Sequence, residues 1–171
     1  MKKNLVLIFL LLLTIGWSSK AQLRHIEGFK AVGLNGGAVN NGYTISATYY
    51  HYLASRQILK AELAYEHVSF NYTPWNVFYV EPQYLYTAWK YKSWYFLDLK
   101  AGLLLGLENG KNDILNDKKT NFFIGEDFGL ENEFFINDNI SFSLSFSQRF
   151  IQKSDLGSLS WVVKSGINYN F

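Results

Sequence analysis

The segment Lys164-Ser165-Gly166-Ile167-Asn168-Tyr169-Asn170-Phe171 decides the fold, because apolar and polar residues alternate along it and an aromatic residue ends it. Successive side chains of a β-strand point to opposite faces. The alternation therefore predicts a strand with one apolar and one polar face. Chain ends are normally solvated, whereas an aromatic end suits a strand anchored at a membrane interface. The apolar face comprises Trp161, Val163, Ile167, Tyr169 and Phe171; the polar face comprises Lys164, Gly166, Asn168 and Asn170.

This segment also resembles the C-terminal assembly signal of bacterial outer-membrane barrels. That signal has a polar residue, a glycine two positions later, and aromatic residues at the antepenultimate and last positions. Lys164, Gly166, Tyr169 and Phe171 occupy those four positions. The resemblance implies a bacterial outer-membrane location and recognition by the barrel-assembly machinery. We expect this strand to close the barrel by pairing with the first strand, near residues 29–34.

The other end of the chain has the pattern of a secretory signal peptide. Lys2 and Lys3 precede an apolar run over residues 5–15, and Ser19 and Ala21 form a small-x-small cleavage site. The run is shorter than the roughly 20 residues that a membrane helix needs. We therefore predict a signal peptide over residues 1–21 and one outer-membrane β-barrel domain over residues 22–171.

Composition narrows the function classes. The formal charge of +2 includes Lys2, Lys3 and Lys20, so an exported chain is nearly neutral and no basic surface for nucleic acid is expected. The absence of cysteine excludes disulfides, Cys-based metal sites and acylation on cysteine. Charged residues make up 18%, below the roughly 25% of soluble domains. Much of the surface is therefore expected to face outer-membrane lipid.

Two-residue alternation recurs along the chain and predicts about eight strands, the first of them near residues 28–34. The clearest case is residues 140–150, where Phe142, Leu144 and Phe146 alternate with serines. The fold class is thus all-β: an eight-stranded antiparallel transmembrane β-barrel with up-and-down meander topology. Short turns are expected at residues 53–57, 89–93 and 136–139, and longer external loops at residues 35–42, 71–76, 108–120 and 152–158.

Aromatic residues near the predicted strand ends indicate interfacial girdles, since tryptophan and tyrosine favour membrane boundaries. A soluble barrel with an aromatic core is the alternative, because soluble barrels also have one apolar face. The expected girdle residues are Trp75, Trp89, Trp94 and Trp161, with Tyr52, Phe135, Tyr169 and Phe171 on the periplasmic side.

The polar face of the predicted strands carries charges of both signs. An eight-stranded barrel has an interior that side chains just fill, and buried charges must be paired. We expect a plugged, cross-linked lumen; a narrow conducting pore is the alternative, and some acids would lie on strand extensions in water. These residues are Lys60, Glu62, Glu66, Glu81, Asp98, Lys100, Asp127, Glu131, Glu133, Arg149 and Lys164.

Candidate catalytic and metal-binding residues are few. Of His25, His51 and His67, only His67 has a nucleophile nearby: Ser69, on the same strand face, as in membrane-embedded barrel acylhydrolases. Glu66 points the other way and is a poor orienting acid for the histidine. Asn112-Asp113 and Asn116-Asp117 lack a calcium-loop pattern. We predict no enzymatic activity, no cofactor and no metal ion.

Four stretches of the chain together carry a family resemblance. They are Ala61-Glu62-Leu63-Ala64-Tyr65, residues 97–107 leading into Glu108-Asn109-Gly110, residues 129–140, and the closing glycine-containing strand. These stretches resemble the small barrels of the conjugative transposon protein TraO family. The resemblance implies an outer-membrane role in DNA transfer between cells, as a structural or docking component that contacts other conjugation proteins and no nucleic acid directly. A generic small outer-membrane barrel for envelope integrity, adhesion or solute passage is the alternative, followed by a lipid A-modifying acylhydrolase.

Overall fold

Eight β-strands account for nearly all of the chain that the structure describes. A computed structural model describes residues 25–70, 73–112 and 117–171. The predicted signal peptide and the centre of the 108–120 segment lie outside these residues. The strands are β1 (Lys30–Val39), β2 (Gly42–Ala54), β3 (Gln57–Phe70), β4 (Thr73–Tyr91), β5 (Tyr95–Asn112), β6 (Asp117–Phe135), β7 (Ile140–Gln152) and β8 (Leu159–Asn170).

The strands form a closed antiparallel barrel in chain order, which confirms the predicted fold class. Each strand pairs with the next, and β8 pairs with β1 through registers such as Leu34 with Ile167. Phe171 extends this closure, since its N–H donates to the Lys30 carbonyl at 2.9 Å. The described part of the chain has no helix long and apolar enough to cross a membrane.

The alternation of each strand becomes an outer and an inner face. In β7, Phe142, Leu144 and Phe146 are 37–52% exposed on the outside, while Ser143 and Ser145 are buried inside. The same alternation on all eight strands gives an apolar outer surface and a largely polar interior, the inverse of a soluble barrel. We call this outer surface the apolar belt. Its contact with membrane lipid is favourable, whereas its contact with water is not.

The strands are longer than predicted at one end of the barrel. Residues 35–42 are not a long loop, because β1 continues to Val39 and β2 begins at Gly42. The backbones approach closely there: a Cβ on Gly37 would lie 2.0 Å from the Val163 carbonyl oxygen. β4, β5 and β6 span 19, 18 and 19 residues, although about 9–11 suffice to cross a bilayer. The predicted long loops at residues 35–42 and 108–120 are therefore largely strand extensions, whereas residues 153–158 connect β7 to β8 much as predicted.

Three of the expected girdle aromatics point inward instead. Tyr52, Phe135 and Trp75 are 0%, 6% and 8% exposed, whereas Trp89 and Trp161 lie outside as predicted, at 62% and 43%. Strand parity explains the difference: residues of one strand that are an even number of positions apart face the same side of the barrel. Each inward aromatic is an even number of residues from an inward polar residue of its own strand, as Phe135 is from Glu133.

Apolar layers lie above and below a charged middle inside the barrel. We call the end where β1 begins the inner end and the opposite end the outer end. The inner-end layer consists of Ala31, Tyr50, Tyr52, Ile58 and Leu85, with Phe29 against it. The outer-end layer consists of Val39, Val68 and Val162 together with Ala64, Val77, Tyr79, Leu104 and Phe123, and Leu156 packs against both groups.

Candidate functional site

The charged middle of the lumen is the candidate site. All eleven charged residues predicted to face inward are buried inside the barrel, with Asp98 and Glu133 toward its inner end. Lys60 lies at its centre, with its Nζ 2.6 Å from Oε2 of Glu131 and 3.9 Å from Oε2 of Glu62. Lys164 reaches from the opposite wall to Glu62. Tyr50 adds a hydrogen bond to Glu131 at 2.9 Å. These contacts join β2, β3, β6 and β8 across the barrel.

A second set of contacts surrounds Arg149 toward the outer end. Its guanidinium donates to Oε1 of Glu66 at 2.7 Å and also contacts the hydroxyl of Tyr79. Tyr79 in turn donates to Glu66 at 3.0 Å and accepts from Lys164 at 3.1 Å. Arg149 also lies over the Tyr79 ring, with its Cζ 4.6 Å from the centroid. One buried arginine of β7 therefore joins an acid of β3 and a tyrosine of β4 across the lumen.

The lumen holds more acids than bases. Among the described residues, eight buried acids accompany four buried lysines and arginines. Lys100 pairs with Asp127 at 2.7 Å, while both carboxylate oxygens of Glu81 lack a hydrogen-bond partner within the described chain. Arg149 is the nearest recorded cation to Glu81, at 3.8 Å. This acid excess favours the binding of protons or cations over anions.

Glu108 anchors the connection between β7 and β8 over the outer end. Its carboxylate is 1% exposed and accepts from the Asp155 N–H at 2.6 Å, the Ser154 hydroxyl at 2.8 Å and Asn121 at 3.0 Å. Asn121 also donates to the Lys153 carbonyl. Residues 153–158 are thereby held across the mouth, with Leu156 in the outer-end layer.

His25 closes the inner end. Its ring is 2% exposed and stacks on Phe96, with centroids 3.8 Å apart and planes at 13°. Its Nε2 lies 3.0 Å from Oε2 of Glu133. Glu133 also accepts from Ser141 at 2.5 Å and from Tyr52 at 3.3 Å. The side chain of His25, from the segment before β1, therefore enters the lumen and contacts its wall.

The predicted assembly-signal residues divide between the two faces of β8. Tyr169 and Phe171 are 54% and 53% exposed on the apolar belt, with ring centroids 6.3 Å apart. Lys164 belongs to the charged middle. Gly166 faces inward, and a Cβ there would lie 1.9 Å from Oδ1 of Asn35. Glycine at this position thus has a packing reason, and its role in assembly stays a prediction.

His67 and Ser69 lie on the outer face of β3 near the outer end. Nδ1 of His67 is 3.0 Å from Oδ1 of Asn76, and the ring contacts Tyr43 at 5.5 Å. Glu66 points into the lumen toward Arg149, as its sequence parity indicated. The structure therefore gives His67 an amide partner rather than an orienting carboxylate.

Glu108, Glu126 and His25 have positions that were not predicted from the sequence. Glu108 lies four residues from the buried Leu104 of β5, so the two-residue alternation of this strand would have predicted that Glu108 faces inward. Glu126 is exposed on the outer face, between Ile124 and Phe128, as parity also requires. The placement of His25 depends on contacts with other strands, and no local pattern indicated it.

Known structures share this architecture. The chain is similar to the N-terminal β-barrel domain of Pseudomonas aeruginosa OprF, with a TM-score of 0.64 and 12% identity over 85% of this chain and 98% of that one. It is also similar to Ail, the attachment invasion locus protein of Yersinia pestis, at 0.61 and 12% over 85% and 100%. Neisserial surface protein A gives 0.59 and 12% over 85% and 98%.

The fold is that of small outer-membrane barrels. Together with the apolar belt, it supports the predicted location in the bacterial outer membrane. No family model matches the chain. No curated protein matches it in sequence. The resemblance to the TraO family therefore stays a prediction.

Proposed function

We propose that this protein is a non-conducting outer-membrane barrel that acts as a structural or docking element. One observation carries the proposal: the ion-paired lumen between two apolar layers. Arg149, Lys60 and Lys164 each reach across the interior to acids on other strands. Because an ion pathway needs continuous water, a lumen filled in this way favours work at the outer surface and the barrel ends.

Conductance in planar lipid bilayers tests this proposal. We expect no stepwise currents from the wild-type protein, with membrane insertion verified by heat-modifiable gel migration. The double variant Tyr79→Ala with Arg149→Ala removes two large buried side chains from the outer part of the lumen and is expected to produce current steps. Regular steps from the wild-type barrel would refute the closed lumen.

A docking role in a conjugation apparatus is the finer proposal, and it rests on the resemblance to the TraO family. The barrel would contact other conjugation proteins through its two ends, without binding DNA. Deleting the gene should lower transfer frequency at least tenfold while leaving outer-membrane integrity unchanged. Normal transfer would remove this role and leave the generic barrel, for which adhesion is the first alternative, given the structural similarity to an attachment protein.

We also propose that the protein is not an enzyme. The support is the environment of His67, whose recorded side-chain partner is Asn76 rather than an acid. Ser69→Ala should leave the acylation of outer-membrane lipid unchanged when lipid extracts are compared by mass spectrometry. Loss of a deacylated species in that variant would instead identify an acylhydrolase.

A further inference from the structure

Three side chains with metal-binding atoms converge at the inner end of the lumen. The ligating atoms of His25, Asp98 and Glu133 all lie within 4.8 Å of one another. The three residues are 2%, 1% and 3% exposed. They come from the segment before β1, from β5 and from β6, so this cluster joins a non-strand segment to two neighbouring strands of the wall.

Thr87 fixes the orientation of the His25 ring. Its hydroxyl donates to Oδ1 of Asp98 at 2.5 Å, so its oxygen is left to accept from Nδ1–H of His25 at 3.2 Å. Nε2 faces Oε2 of Glu133, so it donates a proton to that carboxylate in the metal-free protein and offers a lone pair on the same side once a metal ion displaces the proton. Histidines that bind metals commonly donate their other ring N–H in this way, which fixes the ring and the tautomer.

Glu133 is held in place by further donors. Ser141 donates to Oε1, and Tyr52 donates to Oε2, the oxygen that faces His25. His25 itself has a left-handed φ of 60°, which is uncommon for a residue with a side chain. Such a conformation persists where the surrounding contacts fix it. The cluster is therefore organised by neighbouring residues before any ligand arrives.

The charges of the cluster favour a divalent cation. Asp98 and Glu133 are buried carboxylates, and burial of unbalanced charge is costly. A proton on His25 offsets one of the two negative charges, whereas a divalent ion bound to neutral His25 offsets both. The remaining lumen supplies no surplus cation, because buried acids outnumber buried lysines and arginines among the described residues.

We propose that His25, Asp98 and Glu133 bind a divalent transition-metal ion of the zinc class, which fastens the segment before β1 inside the inner end. One imidazole nitrogen with two carboxylate oxygens suits zinc, whereas calcium and magnesium prefer oxygen ligands alone. The ion replaces any proton shared by Nε2 of His25 and Glu133, and that proton passes to the solvent. Neither a structural nor a docking role requires such a site.

Calorimetric titration with zinc chloride tests the proposal. Chelator-treated protein, purified from membranes in detergent, should bind one zinc ion per chain. His25→Gln and Asp98→Asn should each weaken binding at least tenfold. His67→Gln is the matched control, because His67 lies on the outer face near the other end and should leave binding unchanged. Heat-modifiable migration verifies that each variant is folded.

Two results would overturn the site. One is the absence of saturable zinc binding by the wild-type protein, which would leave the His25–Glu133 contact as a simple hydrogen-bonded pair. The other is binding that survives both His25→Gln and Asp98→Asn, or magnesium binding of equal strength. Should His25→Gln fail to fold, Asp98→Asn decides, since it keeps the side-chain shape. The bilayer conductance of the barrel is independent of each outcome.

Discussion

Each end of the lumen is closed around a buried glutamate, but the two glutamates accept hydrogen bonds from different kinds of donor. At each end a buried glutamate of the wall accepts hydrogen bonds from a segment outside the strands: Glu133 from His25, and Glu108 from residues 153–158. The donors at the inner end include two buried hydroxyl side chains, whereas those at the outer end are a backbone N–H and half-buried polar groups. The inner closure should therefore depend more on individual residues.

Replacing the buried glutamate at each end should give the largest difference in stability between the two closures. Glu133→Ala leaves Tyr52, Ser141 and His25 without their acceptor in a buried site, and we expect a loss of about 3–5 kcal/mol in unfolding free energy. Glu108→Ala should cost only about 1–3 kcal/mol, because its donors can turn to water. Urea unfolding in detergent measures both. Glu27→Ala, on an exposed residue, is the control, and equal losses at the two ends would refute the distinction.

Protease access should reveal which segment each glutamate holds. In Glu108→Ala, residues 153–158 lose their anchor, so trypsin should cleave after Lys153 several-fold faster than in the wild-type protein. Glu133→Ala acts at the other end and should leave this cleavage rate unchanged in folded protein. Mass spectrometry of the fragments identifies the site. Equal acceleration by both variants would mean that the ends are not independent.

Removing a single hydroxyl donor at each end should give a smaller difference in stability between the two closures. Tyr52→Phe removes one donor to Glu133 within the inner-end layer and should cost about 1 kcal/mol. Ser154→Ala removes a half-buried donor to Glu108 and should cost less than Tyr52→Phe. Tyr49→Phe, on the apolar belt, controls for loss of a hydroxyl. Thermal or urea unfolding ranks the three, and a larger cost for Ser154→Ala than for Tyr52→Phe would reverse the comparison.

The exposed ion pair at the outer end should matter least. Lys119 contacts Asp155 at 2.7 Å, but the lysine side chain is 63% exposed. Exposed pairs contribute about 0–1 kcal/mol, so Lys119→Ala should barely shift the urea midpoint. A loss as large as that of Glu108→Ala would show that this pair, rather than the buried carboxylate, holds residues 153–158.

The sequence was a good guide wherever a feature repeats every two residues. The faces of β7 and the inward charges follow from parity, which is local and strict, and the pairing of β8 with β1 follows from closing an even number of strands into a barrel. Parity also placed Tyr52 and Trp75 inside; the girdle interpretation failed because it used residue type in place of position. The lumen is apolar at its ends, so an aromatic residue there fits either face.

Features that depend on contacts between distant residues could not be predicted in the same way. The first strand was predicted to end near residue 34, whereas β1 continues to Val39 because its backbone packs closely against β8 at Gly37. His25 precedes the first strand, and only the closed barrel brings Thr87, Asp98 and Glu133 to it. The pairing of Lys60 with Glu131 likewise depends on which strands face each other across the lumen.

Labelling of two neighbouring residues of β7, one on each face, tests most directly whether a lipid-facing belt surrounds a closed lumen. Because the chain has no native cysteine, each label reports on one introduced thiol. Single variants Leu144→Cys and Ser145→Cys place a thiol outside and inside the barrel in lipid vesicles. We predict that a spin label on Leu144→Cys collides with lipid-dissolved oxygen and not with a water-soluble relaxer. We also predict that Ser145→Cys resists a water-soluble maleimide until unfolding. Aqueous contact at Leu144→Cys, or rapid labelling of Ser145→Cys in the folded barrel, would contradict a lipid-facing belt around a closed lumen.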